Sequence, residues 1–394
     1  MPFTEQQNIG VNYKGDFLAI KSGAGTGKTT LLRGYALANP EIRMLYLCYN
    51  KAIQEEAKNK FPGNVVCRTL HAIAYAFHGK RLAHKLTENL RLTDIKNFLN
   101  TPSWEITKDA NNAFNNFLSS SSKEIGPEHA PFLPYSTKIQ KDKVNFIIKC
   151  ASKIWKAAID VDNKFPATHD VYLKLYCLEE PNMHKWFGAM LFDEAQDANP
   201  VVSDFVYKQQ CKQIVVGDDH QQLYRWRGAD NSIDGFIKKK NADVLIINKS
   251  FRFGSKTALL ATRLLDYKSK IAGCPPFPIE GNETIQDEIH EALPPSILQG
   301  KHTRLHRSVA GTIKTGLENI SKRIYWIGGL EKYNIQEILD IYHLYSNQKK
   351  NIKRKKIIYD YKTYKDYKLA ATSTGDPEMR RIVKIIDEHK DSIP

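Results

Sequence analysis

The sequence predicts an α/β fold, a parallel sheet flanked by helices and carrying a phosphate-binding loop, on three observations. The first is "SGAGTGKTT" at Ser22 to Thr30, preceded by the apolar run "FLAI" and followed by the helix-forming "LLRGYALA". The second is that residues 15 to 75 alternate short apolar runs with helical stretches, the pattern of parallel strands joined by helical crossovers. The third is a pair of later apolar runs, "AMLFDEAQD" and "KQIVVGDD", that end in acidic residues. In open α/β sheets, ligands gather at the carboxyl ends of strands.

The elements follow in order. "FLAI" reads as the first strand. The turn after it, Ser22, Gly23, Ala24, Gly25, Thr26 and Gly27, supplies backbone N–H groups to surround β- and γ-phosphates. Lys28 adds a positive point charge, and the Thr29 hydroxyl is placed to take Mg²⁺. The helix that starts there turns its N-terminus toward the anion. Ser22 departs from the usual Gly or Ala but stays small. "MLYLC" and "NVVCRTL" read as the next strands. From about 79 to 185, Asn, Ser, Lys and Thr are frequent, β-branched runs are rare, and "DKVNFIIKCASKIWKAAI" has helical periodicity. This predicts an inserted, mainly helical subdomain, with a loop at 119 to 134 around "SSSSK" and the nearby prolines. "DVLIINKSFRF" is expected to open a second α/β lobe, continued by "RIYWIGG" and "KKIIYDY" as strands.

Composition bounds the class. At 394 residues the chain exceeds one ordinary core, so two or more domains are expected. Hydrophobic content of 42% and charged content of 26% fit a soluble globular protein. No apolar run reaches about 18 residues, so no membrane span is expected. The start, "MPFTEQQNIG", lacks the basic and apolar regions of a signal peptide. Six cysteines at 48, 67, 150, 177, 211 and 274 form no CxxC pair, which points to reduced thiols in a cytosolic setting and away from zinc. The formal net charge of +15 favours an anionic partner. Beside a nucleotide site, nucleic acid is the natural candidate.

Four further segments bear chemistry. Asp193 and Glu194 stand just past an apolar strand in "LFDEAQD". One carboxylate can hold Mg²⁺ through water, and its neighbour can orient or deprotonate the attacking water. The bland reading of the pair is a surface acidic turn; the phosphate loop upstream strengthens the catalytic one. In "GDDHQQLYRWRGAD", the Gln221 amide is suited to sensing a γ-phosphate, and Tyr224, Arg225, Trp226 and Arg227 alternate aromatics with cations. That alternation suits single-stranded nucleic acid, because every base offers a stacking face. Without context, Tyr224 and Trp226 read more readily as core residues. In "KSFRF", Phe251 offers a ring for adenine and Arg252 a guanidinium for phosphate. "KKNIKRKK" at 349 to 356 has six basic residues in eight; it reads first as a solvated loop and more sharply as a phosphate-contacting patch.

The order of these segments carries a resemblance. "TEQQ", "SGAGTGKTT", "LYLCYNKAIQEEA", "TLHAIAY", "LFDEAQD", "GDDHQQLYRWRGAD" and "SFRF" resemble, in sequence and order, the motifs of UvrD/Rep-type superfamily 1 DNA helicases. The similarity is greatest to the F-box DNA helicase group with its bacterial and phage relatives. The resemblance implies that Gln7 reads adenine and that Lys28 and Thr29 serve phosphate and Mg²⁺. It places Asn50, Lys51, Thr69 and His71 along a single-strand path. Asp193 becomes the Mg²⁺-associated residue and Glu194 the catalytic carboxylate. Gln221 and Arg227 couple nucleotide to the DNA track, Tyr224 and Trp226 contact bases, Phe251 stacks on adenine and Arg252 meets the γ-phosphate. Where some relatives carry an arginine after the loop threonine, this chain has Thr30, implying that adenine is held from one side only.

The resemblance thus implies a P-loop NTPase with two RecA-like lobes, a helical insertion in the first lobe and an incomplete second lobe. The expected boundaries are 1–79 and 186–242 for the first lobe, 80–185 for the insertion and 243–394 for the second. The expected activity is ATP- and Mg²⁺-dependent DNA helicase or translocase action, moving 3′ to 5′ on single-stranded DNA or a duplex with a 3′ single-stranded tail. No membrane partner is expected, and the setting is cytoplasmic, or nuclear if the source is eukaryotic. Two later family motifs, including a second arginine for the γ-phosphate, are not found before the sequence stops after "DPEMRRIVKIIDEHKDSIP". The alternative is therefore a nucleotide-gated DNA-binding subunit, or half of a split motor completed by a second polypeptide. The isolated chain is expected to hydrolyse slowly and unwind poorly.

Overall fold

The computed structural model describes residues 2–48, 50–131, 138–222, 232–292, 294–306, 309–319, 321–333, 335–374 and 377–389. In chain order the strands are β1 (Phe17–Ser22), β2 (Met44–Leu47), β3 (Val65–Arg68), β4 (Leu86–Thr87), β5 (Ala167–Thr168), β6 (Ala189–Phe192), β7 (Lys212–Gly217) and β8 (Asp243–Ile247). Six of them form one sheet in the order β3-β2-β6-β7-β1-β8, and every pairing is parallel. β4 and β5 make a separate two-residue parallel pair.

The strand sequences explain this arrangement. A parallel sheet covered on both faces needs apolar residues at consecutive positions rather than alternating ones. "MLYL" and "AMLF" are buried at all four positions, and β7 is buried from Gln213 to Gly217. The helix Lys28–Ala38 packs on one face, burying Leu31, Leu32, Tyr35 and Ala36 in a core with Leu18, Ile20, Met44, Tyr46 and Leu191. Spacings of three and four are what a 3.6-residue helix needs to keep one face covered. The helix Lys138–Ile159 buries Val144, Ile147, Ala151, Ile154 and Ala158 on that rule. Lys174, wholly out of solvent, donates to the Ser120 and Ser122 carbonyls at 2.6 and 2.7 Å and so pins the serine-rich turn. Burial pushes its ammonium down to about 8.

The run at 243–247 corrects an expectation. It does not open a second α/β lobe but pairs with β1 from Leu18↔Asp243 to Ser22↔Ile247. The Gly23 N–H continues the ladder to the Ile247 carbonyl at 3.0 Å. As the edge strand it leaves Val244 and Ile246 about half exposed. Nor do the two later runs form strands. "RIYWIGG" passes through turns, with Gly328 and Gly329 at φ +86° and +84°, a left-handed step that ends an extended run. "KKIIYDY" contains the helix Lys356–Asp360, with Ile357 buried. Among the described residues from 290 onward there are only helices, turns and loops.

The chain divides into two units, Met1–Leu90 with Ala110–Ile289, and Arg91–Asp109 with His290–Pro394. The second unit has its own helical core around Ile338, Ile341, Leu344, Ile382, Ile385 and Ile386. The helix Leu92–Leu99 joins it through the Thr93 hydroxyl, 3.4 Å from Asp360. Among the described residues no helix is long and apolar enough to cross a membrane. All six cysteines are unpaired.

Candidate nucleotide-binding site

The site lies at the carboxyl ends of β1, β6 and β7, three neighbouring strands. β1 ends at Ser22, whose hydroxyl donates to the Gly217 carbonyl at 2.8 Å. That bond to β7 gives the departure from Gly or Ala at this position a structural role. The chain then turns through Gly25 and Gly27 at φ +73° and +79°, and the Thr26 hydroxyl bonds the Gly23 carbonyl at 3.0 Å. Gly27 is the N-cap of the helix Lys28–Ala38, and no side chain caps it. Its first N–H groups are therefore offered to an anion.

The loop admits no β-carbon at its turns. At Gly25 one would stand 2.5 Å from the Arg252 Cβ and 2.8 Å from the Ser250 hydroxyl; at Gly27 it would stand 2.8 Å from the Gln7 amide nitrogen. Gly25→Ala combines that clash with a left-handed backbone costing about 1–2 kcal/mol for an L-residue. The expected result is a folded protein with lowered melting temperature and nucleotide binding reduced at least tenfold, checked by thermal unfolding and fluorescent-nucleotide titration.

Three sequence-predicted residues wrap this loop. Gln7 is buried; its amide nitrogen donates to the Thr26 carbonyl at 3.0 Å and its oxygen accepts the Thr4 N–H at 3.0 Å. With the Thr4 hydroxyl accepting the Gln7 N–H at 3.1 Å, this is a capping box that fixes the first helix against the loop. The Phe251 N–H donates to the Gly25 carbonyl at 2.8 Å, and its ring edge reaches the space beside Gly27. Arg252 follows, exposed, with its N–H on the Ser250 hydroxyl. Gln7, Phe251 and Arg252 thus converge on the loop. Thr30 is exposed on the helix.

The acidic pair meets the loop from β6. Lys28 Nζ lies 2.6 Å from Glu194 Oε2. Thr29 Oγ1 donates to Asp193 Oδ2 at 3.0 Å, and the Tyr46 hydroxyl donates to that same oxygen at 2.7 Å. The Glu194 N–H reaches Asp193 Oδ1 at 2.9 Å. Glu194 has φ +52°, a region few non-glycine residues occupy and one that functional sites favour. Burial, then the neighbouring Glu194 charge, pushes the Asp193 carboxyl above the usual carboxylate range. The Tyr46 bond, the Lys28 charge and the Thr29 bond oppose that shift.

A hydroxyl and a fully buried carboxylate facing each other beneath a lysine form a hard-oxygen donor set. It fits Mg²⁺, which takes few protein ligands together with phosphate oxygens and water. Thr29 and Asp193 are the residues that would hold it.

A relay of side chains, most of it unread from sequence, leads away from the carboxylates. Gln196 Nε2 donates to Glu194 Oε2 at 2.8 Å, and Gln196 Oε1 accepts the Asp218 N–H at 3.0 Å. Asp218 Oδ2 in turn accepts the Gln221 amide. Gln221 is therefore held by Asp218 and joined to Glu194 through buried Gln196. Gln196 and Asp218 lie inside "DEAQD" and "GDD", so the signal was there to be read. Tyr46, in an apolar strand, carried none. Tyr224, Trp226 and Arg227 lie outside the described residues.

The expected DNA-path residues follow β2 and β3. Asn50 N-caps the helix Lys51–Lys58, accepting the Ile53 N–H at 2.9 Å, and Lys51 is exposed. Thr69 N-caps the helix Leu70–Ala74 through the Ala72 N–H at 3.1 Å. Its own N–H donates to Gln54 Oε1 at 3.3 Å, tying the two segments together. His71 Nε2 lies 3.0 Å from Asp170 Oδ1.

Residues 3–241 match the model of the UvrD/REP helicase N-terminal domain. The chain belongs to the UvrD/REP helicase family. It is 30% identical to F-box DNA helicase 1 of Gallus gallus over 424 aligned positions, covering 99% of this chain and 40% of that protein. It is 33% identical over 282 positions to F-box DNA helicase protein 1 of Schizosaccharomyces pombe, covering 65% and 31%. To the Probable DNA helicase II homolog of Mycoplasma genitalium it is 24% identical, covering 66% and 42%. The chain spans less than half the length of these curated relatives. The helicase-family match takes in the phosphate loop, the acidic pair and the Asp218–Gln221 turn.

Proposed function

We propose that this chain is a DNA motor of the UvrD/Rep type that binds ATP with Mg²⁺, grips single-stranded DNA and couples hydrolysis to 3′-to-5′ movement. The observation that carries the reading is the convergence of Lys28 on Glu194 and of Thr29 on Asp193 at the carboxyl edge of the sheet. The chemistry is phosphoryl transfer to water, dominated by positioning and charge stabilisation. A phosphate entering the loop competes with Glu194 for Lys28. Released from that pair, Glu194 becomes a base able to orient and deprotonate water, still held by Gln196. Bound Mg²⁺ supplies charge neutralisation at the phosphate oxygens. Arg252, across the loop, adds a cation.

On the DNA side, Asn50, Lys51, Thr69 and His71 follow adjacent parallel strands and so share one edge of the sheet with the nucleotide loop. The Glu194–Gln196–Asp218–Gln221 relay leads to the segment carrying Tyr224, Trp226 and Arg227, a route by which nucleotide state reaches the strand. The deciding experiment is steady-state ATPase activity with and without single-stranded DNA, followed by strand displacement on a duplex with a 3′ single-stranded tail. DNA-stimulated turnover supports the reading, and turnover indifferent to DNA removes it.

One substitution tests the strand contact separately. Trp226→Ala is expected to weaken single-strand binding by about 1–3 kcal/mol, the value of one base–aromatic stack, to a similar degree for different base sequences. Fluorescence anisotropy with homopolymers measures it. Normal DNA binding together with a lowered melting temperature would make Trp226 a core residue instead.

A further inference from the structure

Tyr46 has no part in the motor just described, yet its hydroxyl ends on the buried carboxylate of the site. It stands on β2 opposite Leu191 of β6 and is wholly buried. Its ring rests against Phe61 at a centroid distance of 4.6 Å and belongs to the core that includes Leu31, Leu32 and Tyr35 of the helix Lys28–Ala38. The phenol therefore runs beneath that helix to reach Asp193 Oδ2 at 2.7 Å. A phenylalanine would fill the same space without the hydroxyl, so packing does not require the oxygen.

Asp193 is 2% exposed, and a buried carboxylate must be held by donors. Among the described residues it has three: the Glu194 N–H on Oδ1, and the Thr29 and Tyr46 hydroxyls on Oδ2. The Glu194 N–H is backbone and cannot be tuned by a side chain. Thr29 is itself a candidate cation ligand. Among the described residues, Tyr46 is the one donor on Asp193 from a side chain outside the proposed cation and nucleotide contacts. A phenol keeps its proton at neutral pH, so the Tyr46 hydroxyl donates to the carboxylate.

We infer that Tyr46 is a positioning residue for the divalent cation: its hydroxyl fixes the rotamer of Asp193 so that the carboxylate faces Thr29 in the orientation Mg²⁺ needs. The inference rests on the proposed nucleotide site and names a part of it outside the phosphate loop and the acidic pair. Partners that orient a metal-associated carboxylate typically account for 10–100-fold in metal affinity or activity. Tyr46→Phe is expected to cause a loss in that range in cation affinity and to leave cation-free nucleotide binding unchanged.

The test uses the full chain with ADP and Mn²⁺ as probes. Electron paramagnetic resonance titration gives Mn²⁺ affinity in the presence of ADP; fluorescent-ADP titration in EDTA gives nucleotide affinity without cation; thermal unfolding without ligand monitors the fold. Expected for Tyr46→Phe is a 10–100-fold weaker Mn²⁺ affinity, with ADP affinity in EDTA within twofold of wild type and a melting temperature within a few degrees. In activity, half-maximal turnover moves to a correspondingly higher Mg²⁺ concentration, with kcat at saturating Mg²⁺ largely recovered. Unchanged Mn²⁺ affinity overturns the inference. So does a parallel fall in ADP affinity in EDTA and in melting temperature, which would make the hydroxyl a packing element. If wild type binds ADP in EDTA but no Mn²⁺, the cation part of the site is wrong and the inference with it; if it binds no nucleotide at all, the proposed function itself fails.

Discussion

Lys28→Ala is expected to stop ATP turnover while leaving single-strand binding largely intact. The Lys28 side chain is only 12% exposed and its ammonium lies 2.6 Å from Glu194, at the start of a helix that no side chain caps. Removing it takes away the cation proposed to meet the transferred phosphate. Losing a single preorganised donor at a reacting oxygen costs on the order of 10²–10³ in kcat, and a full positive charge is expected to be worth at least that. Nucleotide affinity should also fall, because the charge acts in the ground state as well. Asn50, Lys51, Thr69 and His71 lie on other segments, so DNA affinity without nucleotide should hold within a few-fold. Steady-state ATPase assays and anisotropy with a labelled single strand measure the two. Unchanged turnover would show that the loop is not the catalytic site.

What was legible from sequence follows the range of the interactions involved. The phosphate loop is a local object: its glycines, Lys28 and Thr29 are set by consecutive residues. The acidic pair is nearly so, because an apolar strand ending in two carboxylates delivers them to the sheet edge by itself. Sheet membership is not local. "DVLII" reads as a strand, but nothing within five residues says whether it pairs with β1 or starts a sheet of its own; the answer lies in pairings more than two hundred residues away. Short apolar runs also leave helix and strand undecided. Thus Ile357 in "KKIIYDY" is buried from a helix, and the adjacent glycines of "RIYWIGG" hold a turn. Tyr46 shows the limit for the site. An aromatic in a buried strand has the sequence signature of core, and only the three-dimensional path of its phenol sets it against Asp193.

Glu194→Gln should separate catalysis from binding, because the acid has two contacts that the amide treats differently. Glu194 Oε2 receives Lys28 at 2.6 Å and Gln196 Nε2 at 2.8 Å. A glutamine has the same size, keeps an oxygen for Gln196 and occupies the same backbone position, so the relay toward Asp218 and Gln221 should survive. It has no charge with which to hold Lys28 or to accept a proton from water. The first loss leaves Lys28 more available to phosphate, so ATP affinity should be unchanged or tighter. The second removes the proposed general base, a contribution of typically 10²–10⁴ in rate. The expected variant therefore binds ATP at least as well as wild type and turns it over 10²–10⁴-fold more slowly. Lys28→Ala, by contrast, loses both binding and turnover. Nucleotide titration and single-turnover hydrolysis on the same preparation measure the split. If Glu194→Gln weakens ATP binding as much as it slows hydrolysis, Glu194 serves to hold the loop through Lys28, and the base must be sought among the other groups around Asp193.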